Sequence, residues 1–248
     1  KSKTVAYVHF LPETLENSIK LNKTIRKIFY KYIIEFYKKV DYLVVVNPYF
    51  IDVLEKYGID RRKITYIPNF VSNKNFYKID ESERTLLRKK YGIDENKFVV
   101  LSVGQLQKRK GVLDFIEVAR NMPDTLFLWA GDAVFGKISD GYKEIKEIIA
   151  KNLPNNVKFL GLIEREKMNE IYNIADVMFM PSYDELFPMT ILESMCLNLP
   201  VVVRDLKIYD NILFDYCLRS NTNESFVNTL QKLEKDNDFY NVACEKSN

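Results

Sequence analysis

Short β-branched runs recur along the chain with helical stretches of about ten residues between them, and this alternation constrains the fold more than any other feature. Residues 4–8, 42–46 and 63–67 read as buried strands, separated by helical spacing over 23–40 and 48–57. Pro68 stops the third run, and 69–80, with Asn, Ser and Lys in place of periodic apolar residues, reads as a linker. The alternation then restarts. Strands are expected at 98–103, 125–130, 157–160, 176–180 and 200–203, with helices at 112–121, 142–151, 167–175 and 188–198. Strand–helix–strand crossovers call for parallel sheets covered on both faces, so the expected fold class is α/β with two lobes. Residues 1–75 form the last part of the first lobe and 76–248 the second. Because the sequence starts at Lys1 with a strand close behind, the first lobe is expected to be incomplete and its upstream part missing. Residues 234–248 are polar apart from Phe239, Tyr240 and Val242, and are expected to fray.

Composition narrows the function. Lys and Arg number 37 against 34 Asp and Glu, a formal charge of +3 that argues against a general polyanion binder, so nucleic acid is not the expected partner. The longest apolar runs are strand-sized, too short to cross a bilayer, and no signal-peptide pattern precedes the first strand. His9 is the lone histidine, and Cys196, Cys217 and Cys244 lack C-x-x-C spacing. A zinc site, a disulfide scaffold and a triad needing a second histidine are thereby disfavoured.

In open α/β sheets ligands bind beyond the carboxyl ends of the strands, which directs attention to the loops after residues 103, 130, 160 and 180. The first, Gly104-Gln105-Leu106-Gln107-Lys108-Arg109-Lys110-Gly111, sets two glycines and three cations just before a helix. Glycines admit a close backbone approach, a helix start offers amide donors, and Lys or Arg neutralises an anion, so a phosphate suits the loop. It matches neither the Walker spacing nor G-x-G-x-x-G, and a solvated basic turn has the same composition. The loop after 180 ends in Pro188, suited to a helix start, which leaves the amides of Met189 and Thr190 facing outward. Glu185 in that loop and Glu193 in the helix place two carboxylates where they can accept hydrogen bonds from vicinal hydroxyls, unless each is a solvated surface charge.

With these segments in order, the chain resembles retaining glycosyltransferases of family 4 with the GT-B fold, which pairs two Rossmann-like lobes. The resemblance rests on Tyr66-Ile67-Pro68-Asn69, Lys110-Gly111, Trp129-Ala130-Gly131-Asp132, Phe159-Leu160-Gly161, Pro181-Ser182 with Glu185-x7-Glu193, and Leu199-Pro200-Val201-Val202. The run from Arg109 to Phe115, residues 127–131, Phe135-Gly136-Lys137 and Arg204-Asp205-Leu206 is similar to bacterial glucosyltransferases that extend glucosyl-diacylglycerol. What the resemblance implies is transfer of glucose from UDP-glucose to a membrane glycolipid at the cytoplasmic face, with no metal or other cofactor required. It implies that Lys110 holds the donor diphosphate together with amides around Phe187, Pro188, Met189 and Thr190. Glu193 would bond the ribose, Glu185 the sugar hydroxyls, and the backbone near Leu162 and Ile163 the base. Gly104 and Gly131 would line the donor site. Such enzymes usually carry arginine where Gln105 stands, and Arg109 is expected to supply that charge.

His9, at the end of the first strand, is expected either near the donor sugar or as a structural loop residue. Glu13, Asn17 and Ser18 are candidate acceptor neighbours. Helix 23–40 is expected to bury Ile25, Phe29, Tyr32, Phe36 and Val40 and to expose Lys27, Lys31 and Lys38 with Tyr30 and Ile34. That basic face suits either solvent or peripheral contact with anionic headgroups. Transfer to a polysaccharide precursor or a protein, and a non-catalytic glycosyltransferase-like subunit, are the alternative functions.

Overall fold

A computed structural model describes residues 2–12, 22–133, 136 and 141–247, so Glu13, Asn17, Ser18, Phe135 and Lys137 lie outside the described residues. The first lobe holds a parallel sheet of β1 (Val5–Val8), β2 (Tyr42–Val45) and β3 (Ile64–Tyr66) in that order. Helices α1 (Lys23–Lys39) and α2 (Tyr49–Lys56) make the crossovers. Asn22 starts α1 by accepting the Thr24 amide at 2.9 Å, and Phe50 and Leu54 of α2 join Val8, Leu43, Val45 and Ile64 in the core.

Helix α1 buries a different face from the expected one. Ile33, Ile34 and Tyr37, with Val40 just beyond the helix, pack against the sheet, and the Tyr37 hydroxyl donates to the Phe10 carbonyl. Ile25, Phe29, Tyr32 and Phe36, expected inside, are exposed, as is Ile28; Ile34, expected outside, is buried, and Tyr30 is half-buried. Apolar residues run almost around this helix, so periodicity defines two stripes and contact with the strands selects one.

The second lobe is a six-stranded parallel sheet made of β4 (Val99–Val103), β5 (Leu126–Ala130), β6 (Val157–Gly161), β7 (Val177–Met180), β8 (Val201–Arg204) and β9 (Leu218–Ser220). Its order is β6-β5-β4-β7-β8-β9. Side chains alternate between two cores: Leu126, Leu128 and Ala130 pack on one face, Phe127 and Trp129 on the other. Each fully buried Leu or Phe here stabilises the fold by roughly 1.5–3 kcal/mol. Crossovers from β4 lead to β5 on one side, and β7 lies on the other. The carboxyl ends of β4 and β7 therefore flank the topological switch point, where neighbouring connections diverge and leave a crevice.

Residues 69–80 are less of a free linker than expected. Phe76 is fully buried, edge-on to Tyr172 with ring centroids 5.7 Å apart, and the amides of Tyr77 and Ile79 donate to Asn169 and Asn173. Asp80 then caps a helix absent from the expectation, α3 (Glu81–Lys90). Its Arg84 and Arg88 pair with Asp176 at the start of β7, at 2.6 and 2.7 Å. Helices α4 (Val112–Arg120), α5 (Tyr142–Lys151), α6 (Met168–Asn173) and α7 (Met189–Met195) follow the expected plan.

The C-terminal residues are helical where fraying was expected. Thr222 and Ser225 form a capping box on α8 (Asn223–Lys235), which buries Phe226, Leu230 and Leu233. Asp236 caps α9 (Asn237–Lys246), and the Tyr240 hydroxyl donates to the Asp176 carbonyl at 2.9 Å. Capping and one half-buried aromatic anchor, with Ala243 buried, hold a helix whose outer face is largely polar.

Candidate active site

The loops after β4 and β7 meet at the switch point and are stitched together. The Tyr183 amide donates to the Arg109 carbonyl at 2.7 Å, and Arg109 Nη1 donates to the Asp184 carbonyl at 3.2 Å. Arg109 Nε is taken up by Gln107 Oε1 at 2.9 Å, so this guanidinium braces the crevice. Gly111 lies at φ 72°, and a β-carbon there would overlap the Pro181 carbonyl. The chain can enter α4 this close to the second loop because the residue is glycine.

Gly131 follows β5 beside Gly104. Trp129 Nε1 and the Gly104 amide bind the two loops together, the first donating to the Gly104 carbonyl and the second donating to the Ala130 carbonyl, each at 2.9 Å. The stem of Lys110 runs past Gly104, where a β-carbon would stand 3.7 Å from Lys110 Cδ. Its Nζ meets Glu185 Oε1 at 2.5 Å, the two side chains being 16% and 5% exposed. Two residues 75 positions apart thus form a nearly dry ion pair at the centre of the crevice.

Glu193 is also buried rather than on a wet helix face. The Tyr172 hydroxyl donates to its Oε2 at 2.7 Å and Arg165 Nη1 to its Oε1 at 3.1 Å. Burial, followed by the Glu193 charge, pushes the Tyr172 hydroxyl well above its ordinary pKa. Tyr172 and Arg165 escaped sequence reasoning. The signal available was a tyrosine on the inward stripe of α6, whose polar tip must find a partner when its ring is buried.

Pro188 precedes α7 at φ −72° and ψ 118°, so Met189, and not Pro188, is the first helical residue. Phe187, Met189 and Thr190 are half-buried at this helix start, Leu162 is exposed after β6, and Ile163 is half-buried. Gln105 follows Gly104 in the β4 loop. His9 is exposed after β1, its ring stacked on Tyr7 at 5.9 Å. The structure therefore brings Gly104, Arg109, Lys110, Gly131 and Glu185 into one stitched unit, and places His9 on the first lobe.

Asn47, two residues past β2, joins the lobes: its Nδ2 donates to the Leu186 and Ile208 carbonyls at 3.1 and 2.9 Å. Beside it a cavity of about 500 Å³ opens, lined by Tyr49, Phe50 and Tyr57 from one lobe and Tyr183, Asp184 and Glu185 from the other. Burial, partly offset by Arg109, raises the Asp184 carboxyl from 3.8 to about 6. A raised folded-state value means that the folded protein holds this proton more tightly than the unfolded chain. The associated stability is complete below about pH 4 and is lost as pH rises through about 6. Asp184→Asn is therefore expected to be more stable than the parent by about 1–3 kcal/mol at pH 7.5 and equal to it at pH 4. Urea denaturation at the two pH values checks this, and an equal difference at both refutes it.

Two parallel α/β lobes facing one another across a switch-point crevice define a GT-B fold. The chain belongs to the family described as Glycosyl transferases group 1, whose profile matches residues 83–247; the profile described as Glycosyltransferase Family 4 matches residues 1–74. It is 46% identical over 209 residues to alpha-galactosylglucosyldiacylglycerol synthase of Streptococcus pneumoniae, covering 84% of this chain and 56% of that protein. It is 28% identical over 235 residues to the processive diacylglycerol alpha-glucosyltransferase of Acholeplasma laidlawii, covering 94% and 69%. Among solved structures, Anabaena Alr3699/HepE in complex with UDP and glucose superposes with a TM-score of 0.82 at 20% identity, over 99% of this chain and 65% of that one. WaaG, a glycosyltransferase involved in lipopolysaccharide biosynthesis, superposes with a TM-score of 0.76 at 19% identity, over 98% and 69%.

Proposed function

We propose that this chain carries the donor site of a retaining glycosyltransferase that moves a hexose from a UDP-sugar to a diacylglycerol glycolipid. The observation that supports it best is the buried Lys110–Glu185 pair between a glycine-rich loop and a helix start, with Glu193 held nearby on the same helix. In this reading Lys110 takes the diphosphate, assisted by Arg109 and the first amides of α7, and Gly104, Gln105 and Gly131 let it approach the backbone. Glu193 takes the ribose, Glu185 the hexose, Leu162 and Ile163 the base through their backbone, and His9 approaches the sugar when the lobes close. The bond from the anomeric carbon to the diphosphate breaks, the acceptor oxygen attacks from the same face, and its proton passes to the departing diphosphate oxygen. Fixed cations and amide dipoles stabilise the charge that develops on the leaving group.

UDP-glucose and UDP-galactose are the donors to test. The name of the 46% identical relative favours galactose, added to glucosyl-diacylglycerol, and both relatives are named for α products. Transfer from an α-linked sugar nucleotide to an α product retains configuration. The test is calorimetric titration with UDP, UDP-glucose, UDP-galactose and GDP, followed by transfer of labelled hexose to glucosyl-diacylglycerol in mixed micelles. Uridine-selective binding and a labelled, organic-extractable diglycosyl lipid are expected. No nucleotide binding, or binding with no labelled lipid, overturns the corresponding half of the reading.

A lipid acceptor sets a bilayer beside the protein, and α1 offers a surface for it at the cytoplasmic face. Ile25, Ile28, Phe29, Tyr32 and Phe36 are exposed along one stripe, with Lys23, Lys27, Lys31, Lys38 and Lys39 exposed on the same helix. Apolar insertion and attraction to anionic headgroups then act together. Ile28→Ser with Tyr32→Ser is expected to lower flotation with phosphatidylglycerol vesicles by about 10-fold or more, each lost apolar contact being worth roughly 1 kcal/mol or more. Unchanged flotation of the double variant refutes this contact.

A further inference from the structure

The cation assigned above to the donor diphosphate is already neutralised by a carboxylate of the chain itself. Glu185 Oε1 holds Lys110 Nζ at 2.5 Å, and neither group has much water around it. An incoming phosphate must therefore share the lysine with a carboxylate. A nucleotide sugar and a spent nucleoside diphosphate differ at this very place. In the nucleotide sugar the outer phosphate is a diester with a single charge, and the hexose beyond it carries hydroxyl donors. In the nucleoside diphosphate the outer phosphate is a terminal group whose second ionisation falls near pH 6, which leaves nearly two charges at pH 7.5 and no donors. A carboxylate accepts hydrogen bonds from the first and repels the second.

We propose that Glu185 is a specificity-determining residue: its carboxylate, paired with Lys110, admits the sugar-loaded nucleotide and works against retention of the nucleoside diphosphate. The inference rests on the donor-site reading above and adds a discrimination that the reading does not require. If Glu185 merely anchored Lys110, its loss would weaken both ligands together.

Calorimetric titration at pH 7.5 with UDP and with UDP-hexose, on the parent chain, Glu185→Gln, Glu185→Asp and Lys110→Ala, separates the cases. Glu185→Gln is expected to bind UDP about 10-fold more tightly, equivalent to about 1.4 kcal/mol, and UDP-hexose no more tightly than the parent. Glu185→Asp, which retains the charge, is expected to bind UDP as weakly as the parent. A Gln variant that binds UDP no more tightly than the parent, or equal tightening in the Gln and Asp variants, overturns the inference while the Lys110-dependent binding of the parent keeps the donor site standing. Absence of nucleotide binding in the parent and every variant overturns the donor-site reading itself.

Discussion

Lys110→Ala is expected to lower hexose transfer by about 10²–10³-fold, the scale on which one preorganised electrostatic contact to a developing charge acts. The same substitution leaves Glu185, 5% exposed, without its ion partner. Removing one member of a buried pair costs more than the pair itself contributes, roughly 3 kcal/mol, because the remaining charge stays desolvated. A drop in activity alone would thus mix lost catalysis with lost stability. The double variant Lys110→Ala with Glu185→Gln, compared with Glu185→Gln alone, resolves them: stability is expected to return close to the parent value, and transfer is expected to stay well below that of the single Gln variant. Urea denaturation read beside the transfer assay checks both. If transfer recovers together with stability, Lys110 acts through the fold and not on the diphosphate.

Gly131→Ala is the second large effect, expected to cost about 3 kcal/mol or more. Gly131 sits at φ 129°, and a β-carbon there would overlap the backbone carbonyl of Gly104, which Trp129 Nε1 also binds. The overlap is with main chain held by β4 and β5, so no rotamer change relieves it, and the left-handed backbone adds its own strain. Gly161→Ala is the internal control: φ is 70° but nothing lies within 4 Å of the added carbon. That variant is expected to lose only about 1 kcal/mol. In a chain of this size about 2–4 °C of melting temperature accompanies each kcal/mol, so thermal denaturation distinguishes the two. Equal losses would mean that the Gly104–Gly131 approach carries no special constraint.

Much of the site was legible because ligand loops follow strand ends, and strand ends are marked by the change from β-branched runs to Gly and Pro. Gly104 after Val103, Gly131 after Ala130 and Pro181 after Met180 were each identifiable this way. The partners of those residues were not. Glu193 reads in sequence as a candidate ligand carboxylate or a solvated helical charge, and its burial depends on Tyr172 from a helix whose register against α7 only the packed sheet sets. The helices at 81–90, 223–235 and 237–246 were missed because they are polar outside and rely on caps and a few anchors such as Tyr240.

What the sequence determined by itself is the succession of elements: a strand needs period two or a short apolar run, a helix needs a longer one, and their alternation leaves parallel sheets as the solution. Family membership is written in the same succession of short motifs, matched at residues 1–74 and 83–247. What only the tertiary structure decided are choices between locally equivalent options. Helix α1 has two apolar stripes, and the one facing β1 and β2 is buried while the other is left with its lysines at the surface. Lys110 and Glu185 each have many conceivable partners along the chain, and they meet because β4 and β7 are neighbours in the sheet. Local free-energy differences among such options are small, and the area buried when sheets and helices pack is large enough to choose between them.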